Sequence, residues 1–142
     1  MKKFYFLTIL SVLILFLSGC SEKAKIDGNW ETISISMNGE QLNVLPSNMK
    51  FVPNENNYKV KGCAGVNLYY ADVEVSKKNF KAYGMMNSGF SGNSDGMDFE
   101  NNFFAALMFG ESYKIEGDIL TIYAPSKDME IQLKRKVENK TE

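Results

Sequence analysis

The chain has no histidine among its 142 residues. Histidine is the side chain whose ordinary titration falls near neutral pH, and it is the commonest metal ligand. Its absence excludes Ser-His-Asp and Cys-His catalysis and His-based zinc sites. Cysteine is scarce too, at two residues, Cys20 and Cys63. Neither sign of charge is in useful excess, with 16 basic against 17 acidic residues. No basic field is therefore present to hold nucleic acid. No apolar run reaches the roughly 20 residues that a membrane-spanning helix needs. The length suits a single domain with one core, and no internal repeat divides it.

What is present begins at the N-terminus. Lys2 and Lys3 precede an apolar run from Phe4 to Leu17, broken only by Thr8 and Ser11. That is the length of a signal h-region. The run ends in Leu17-Ser18-Gly19-Cys20, which resembles the lipobox of bacterial lipoproteins, where small residues precede an obligatory cysteine. The resemblance implies cleavage between Gly19 and Cys20, removal of residues 1–19 and lipidation of Cys20. Each buried methylene of an acyl chain adds about 0.8 kcal/mol, so several chains make the attachment effectively permanent. Losing Lys2 and Lys3 moves the net charge from −1 to about −3. Residues 20–27 read as the lipidated N-terminus and a short tether. Ser21 stands where an inner-membrane retention signal would often carry Asp, which points to the outer membrane in a cell that has one. With Cys20 committed to lipid, Cys63 has no intramolecular mate. It reads as a small buried apolar residue, with a reactive thiol or an intermolecular disulfide as alternatives.

The remainder is mostly strand. Ile33, Ile35 and Met37 alternate with Ser34 and Ser36, a half-buried strand. Trp30 is out of phase with them, which predicts a bulge or a strand start near Thr32. Asn38-Gly39 is a turn signal. Met49 to Val52 reads as a short strand ended by Pro53, and Asn54 to Asn57 as a polar turn into a strand carrying Tyr58 and Val60. Val66 to Val75 is the longest strand candidate, with Tyr69, Ala71, Val73 and Val75 on one face. A turn at Ser76 to Asn79 sets Val75 opposite Phe80 and Val73 opposite Ala82. Gly117-Asp118 fits a two-residue hairpin loop that pairs Ile115 with Leu120 and Tyr113 with Ile122. A turn from Pro125 to Asp128 then pairs Ala124 with Met129, Ile122 with Ile131 and Leu120 with Leu133. A one-residue slip would turn all of these outward.

One segment follows a helical period. Phe99, Phe103, Ala106 and Leu107 share a face of a helix from Asp98 to Met108, with Asp98 as N-cap and Gly110 as its stop. A loop rich in Gly, Ser and Asn, Asn87 to Gly96, leads into it. The fold class is mainly β with one helix, over residues 28–135, and residues 136–142 form a charged tail.

Taken in order, these segments resemble the META-domain (HslJ-like) family of small, often lipid-anchored bacterial envelope proteins. Gly28-x-Trp30 with Asn38-Gly39 opens the match. Gly62-Cys63-Ala64-Gly65-x-Asn67 is similar to the family's glycine–cysteine–asparagine stretch, with Ala64-Gly65-Val66 inserted. Phe103 and Leu107 lie in the helix, and Tyr113 to Ile122 matches the closing hairpin. The resemblance covers Ile26 to Lys134 and implies a small antiparallel β half-barrel with one helix. Many members carry a second cysteine before the helix. Here Tyr83 to Asn87 has none, so that disulfide is unavailable. Members are linked to heat stress, antibiotic tolerance, motility or virulence, and no shared catalytic residues transfer.

Few groups suggest chemistry. Ser91-x-Asn93-x-Asp95-Gly96 echoes a calcium loop but lacks the acids at its first and twelfth positions. Asp95, Asp98 and Glu100 fit the favoured negative charge of a helix start. Gly62 to Gly65 lacks the lysine and helix of a P-loop and fits close backbone packing. Tyr58, Tyr69, Tyr70, Phe80, Tyr83 and Phe90 read as core and rim. Met85, Met86 and Phe90 form the candidate ligand or partner loop, because apolar glycine-rich loops make adaptable surfaces. The expected function is a non-enzymatic envelope lipoprotein, without metal or cofactor, that binds a protein or apolar ligand in stress tolerance or envelope maintenance. It would meet the membrane through Cys20 and would not bind nucleic acid. The alternatives are an inhibitor of an external lysozyme or protease, with Asn87 to Gly96 as its plug, and an enzyme using carboxylates or Cys63.

Overall fold

The computed structural model describes residues 25–137. The signal segment, Gly19, Cys20 and the last residues of the charged tail lie outside the described residues. Among those described, the strands are β1 (Gly28–Met37), β2 (Glu40–Gln41), β3 (Asn48–Asn54), β4 (Asn57–Cys63), β5 (Leu68–Ser76), β6 (Asn79–Asn87), β7 (Ser112–Glu116), β8 (Ile119–Ala124) and β9 (Met129–Arg135). The helix α1 (Ser94–Met108) lies between β6 and β7. Every pairing is antiparallel, in the order β2-β1-β3-β4-β5-β6-β7-β8-β9, and β9 returns to pair with β1. The result is a ring of strands with one weak seam. There β6 and β7 share the single pair Asn79–Ser112. Helix α1 touches β6 on one side of the seam and β8, β9 and β1 on the other.

Alternation predicts the register well where hairpins are tight. Val75–Phe80 and Val73–Ala82 are opposed across β5 and β6. Ile115–Leu120 and Tyr113–Ile122 are opposed across β7 and β8. Leu120–Leu133, Ile122–Ile131 and Ala124–Met129 follow across β8 and β9. Leu120, Ile122, Ile131 and Leu133 are fully buried, as one shared inward face requires. Phe99, Phe103, Ala106 and Leu107 join them from α1. Tyr69 meets the rings of Phe103 and Phe104 edge-on at 5.4 and 5.5 Å.

Of the two alternatives expected near Thr32, the bulge is the one present: β1 runs from Gly28 and its phase shifts between Thr32 and Ser34. Trp30 and Ile35 therefore both point inward while Ile33 is exposed. Pro53 lies inside β3 instead of ending it. It stands beyond Phe51, the last β3 residue paired with β1, so its missing N–H breaks no ladder on that side. Strand β5 begins at Leu68, leaving Val66 in the preceding turn. Helix α1 begins a turn before Asp98. Its N-cap is Asn93, whose Oδ1 accepts from the Gly96 N–H at 2.8 Å. The first turn is polar, so apolar periodicity does not register it.

The N-terminal segment is clamped onto the ring. Ile26 is buried, and Trp30 Nε1 donates to its carbonyl at 2.7 Å. The Arg135 guanidinium stacks 4.1 Å from the centre of the Trp30 ring. Its Nη1 and Nη2 donate to the carbonyls of Asp27 and Lys25 at 2.7 and 2.6 Å. The clamp thus reaches back to Lys25, the first described residue.

Burial holds the Tyr69 phenol well above its ordinary value of 10.0, with Cys63 adding to the effect, while its hydroxyl donates to the Asn48 carbonyl at 2.9 Å. Below pH 10 this tyrosine is neutral in both folded and unfolded chains and adds no pH dependence. Above that value the unfolded chain ionises first, so stability falls as pH rises. Urea titrations between pH 9 and 11 should show a slope approaching 1.4 kcal/mol per pH unit. The slope should be clearly shallower in Tyr69→Phe.

Candidate functional site

Asn67 is 1% exposed and Glu100 3%, although both are polar. Asn67 sits in the turn between β4 and β5, and Glu100 sits on the inward face of α1. The Asn67 N–H donates to Glu100 Oε2 and its Nδ2 to Oε1, each at 2.8 Å. Nδ2 also donates to the Phe90 carbonyl at 2.9 Å. Oδ1 accepts from the Phe90 N–H at 2.6 Å and from Ser88 Oγ at 2.8 Å. The Asn67 carbonyl accepts from the Ala64 N–H. One asparagine therefore fastens the β4–β5 turn, the β6–α1 loop and the helix. Of the three acids at the helix start, Asp95 and Asp98 remain exposed and Glu100 alone turns inward. The sequence signal for this was available. Glu100 precedes Phe103, Phe104 and Leu107 by three, four and seven residues, so it lies within the apolar stripe.

The outer face of β3 to β6 carries the exposed apolar groups. Cross-strand pairing aligns Asn29, Lys50, Lys61, Tyr70 and Met86 in one row. Cys63 opposes Leu68 in the next row. Leu68 is 67% exposed, Met86 58% and Phe90 68%. Tyr70 Oη donates to Met86 Sδ. A groove of about 460 Å³ runs beside them, lined by Lys50, Lys61, Gly62, Cys63, Leu68 and Tyr70. Gly62 shares the inward face of β4 with Val60, and a Cβ there would strike the Asn48 carbonyl oxygen. A second, more polar groove of about 530 Å³ meets it at Asn48 and Cys63.

The predicted loop of Met85, Met86 and Phe90 is divided by the structure. Met85 and Met86 belong to β6, because a bulge at Gly84, with φ of 63°, lets the strand continue. Met85 packs partly against the core, whereas Met86 and Phe90 face solvent. Cys63 is half-buried at the groove junction rather than fully inside, with Sγ 3.7 Å from the Gly65 carbonyl. Tyr69 and Phe80 are core, while Tyr70 and Tyr83 are outside. Asn93 is occupied in capping α1. No cluster of three or more His, Cys, Asp or Glu is placed to hold a metal among the described residues. No helix among them is long and apolar enough to cross a membrane.

A small antiparallel ring with a single helix at its seam, locked by a buried polar hub, is the class of domain these features define. The model of the META domain matches residues 23–137, and the chain belongs to that family. Its fold is similar to that of a protein from Burkholderia xenovorans solved by NMR, at 11% identity and a TM-score of 0.66, over 79% of this chain and 83% of that one. It is also similar to the crystal structure of a DUF4847 family protein from Bacteroides vulgatus, at 12% identity and a TM-score of 0.57, over 83% and 99%. At such identities the likeness is one of fold alone. No curated protein matches the sequence.

Asn67→Ala should cost about 3 kcal/mol in urea unfolding, because it removes the side-chain partner of Glu100 Oε1 and of both backbone groups of Phe90, leaving only the backbone N–H on Oε2. Adding Glu100→Leu should cost less than the sum of the two single changes, the sign of direct coupling.

Proposed function

We propose that this META-domain protein is a lipid-anchored, non-enzymatic component of the bacterial envelope, working by contact through the outer face of β5 and β6. The observation that carries the reading is Leu17-Ser18-Gly19-Cys20 at the end of an apolar run headed by Lys2 and Lys3. Supporting it, the domain already holds Lys25 and buries Ile26, a few residues beyond Cys20 in the chain. Leu68, Tyr70, Met86 and Phe90 supply an exposed apolar surface of the kind that marks interaction sites. The absence of histidine and the structural employment of Asn67 and Glu100 leave little for turnover chemistry. A role in stress tolerance or envelope maintenance, and an outer-membrane address where the cell has one, belong to the same proposal. Intact-mass analysis of the protein from bacterial membranes should find a chain starting at acylated Cys20. Cys20→Ser should abolish incorporation of labelled palmitate. An unacylated chain or a different N-terminus would refute the anchor.

The hydrolase-inhibitor reading retains one specific support. Asn67 holds Phe90 by both its N–H and its carbonyl, so the loop presents an exposed aromatic on a fixed backbone. Phe90→Ala should then weaken inhibition of a susceptible lysozyme or protease at least ten-fold; equal inhibition by both forms would remove that loop as the plug.

A further inference from the structure

We propose that Met86 is a modification site, an acceptor of oxygen from hydroperoxides, whose conversion to methionine sulfoxide turns the apolar patch of Leu68, Tyr70, Met86 and Phe90 polar. The inference deepens the contact reading above by giving that face a chemical control.

The bulge in β6 selects this residue. Asp72 stands opposite Tyr83 and Tyr70 opposite Met86, so two steps along β5 match three along β6. An unbroken ladder would set Met85 opposite Tyr70 and turn Met86 inward. The extra residue at Gly84 therefore sorts two adjacent methionines, Met86 into water and Met85 against the core. Among the described methionines Met86 alone is exposed, at 58%. Met49 and Met129 are buried, and Met37, Met97 and Met108 are half-buried.

The sulfur is also held in one orientation. A thioether sulfur carries two lone pairs and is a weak acceptor. One lone pair of Met86 Sδ accepts from Tyr70 Oη. The two residues oppose each other on paired strands, so the contact is built on sheet rather than on a mobile loop. The other lone pair is left for an incoming oxidant. It attacks one oxygen of a hydroperoxide, the O–O bond breaks as the S–O bond forms, and the departing hydroxide takes the proton of the transferred hydroxyl to leave as water. The thioether is oxidised by two electrons and the peroxide is reduced. Sulfur becomes a stereocentre in this step, so engaging one lone pair favours one sulfoxide epimer.

The product differs from its parent where the patch is most sensitive. A flexible apolar side chain becomes a polar, chiral one, and reductases specific for each epimer reverse the change. One of the four exposed members of the patch then carries a strong acceptor, and the face loses the apolar continuity that marks a contact surface.

The test treats the full chain with hydrogen peroxide and maps each methionine by peptide mass. Met86 should oxidise about ten-fold faster than Met85 or Met97, with Met49 and Met129 slower still. The two methionine sulfoxide reductases, each repairing one epimer, then report the stereochemistry. The unaltered chain should give one Met86 epimer in about five-to-one excess, the bias of a single net hydrogen bond. Tyr70→Phe keeps the ring and should bring that ratio close to one. The oxidised chain should elute earlier from an apolar chromatography column, whereas Met86→Leu should elute alike before and after peroxide. Equal oxidation of Met85 and Met86 overturns the site. Equal epimers in the unaltered chain, or the same excess in Tyr70→Phe, overturns the role of Tyr70. A shift of Met86→Leu as large as that of the unaltered chain overturns the switch. No readout needs a partner, so failure of the contact reading would leave these results standing.

Discussion

Burying the Glu100 carboxyl is costly unless its oxygens are occupied, and Asn67 occupies both. Much of the molecule follows from this pair. The ring is weakest between β6 and β7, where one residue pair joins the strands. Helix α1 lies at that seam, and its apolar face is attracted to the core without direction, as all burial is. The hydrogen bonds to Asn67 supply the direction. They fix the helix along its axis and tie it to the β4–β5 turn. The same asparagine carries the loop leading into the helix, so Phe90 is held outward by an interaction whose centre is inward.

A second clamp works at the chain entrance. Trp30 is wholly buried, yet its ring is covered by Arg135 and its indole N–H is spent on Ile26. Strand β9 thereby holds the segment ahead of β1, and the ring closure between β1 and β9 becomes the point where any N-terminal tether must leave. The bulge at Thr32 and Ser34 makes this possible, because it lets Trp30 and Ile35 share an interior that strict alternation would deny them.

The outer face has different physics. Inward residues are selected for fit, whereas Leu68, Met86 and Phe90 keep most of their surface in water. Gly62 permits the Asn48 backbone to approach β4 closely, beside the groove that Lys61 and Cys63 line. The half-buried Cys63 lies at the meeting of two grooves. Packing and surface chemistry are thus joined in a few residues of the Gly62 to Asn67 stretch.

Strand identity and hairpin register were legible in the sequence, because a two-residue period and tight turns leave one arrangement with all apolar groups inside. The pairing of Leu120 with Leu133 and of Val73 with Ala82 followed from that alone. The inward face of α1 was legible for the same reason, but its first turn was not, since Ser94 to Gly96 is polar and capped by a side chain. Met86 resembled a loop residue until the bulge at Gly84 showed the strand continuing. The signal-like run and Cys20 are properties of the local chain and need no fold to be seen. The tertiary structure decided what long-range contact alone can decide. It turned Glu100 inward while Asp95 and Asp98 stayed in water, and it gave Asn67 partners more than twenty residues away. It also brought Lys50, Lys61, Tyr70 and Met86 into one row. Period and propensity describe neighbours along the chain; these groups become neighbours only when the strands close into a ring.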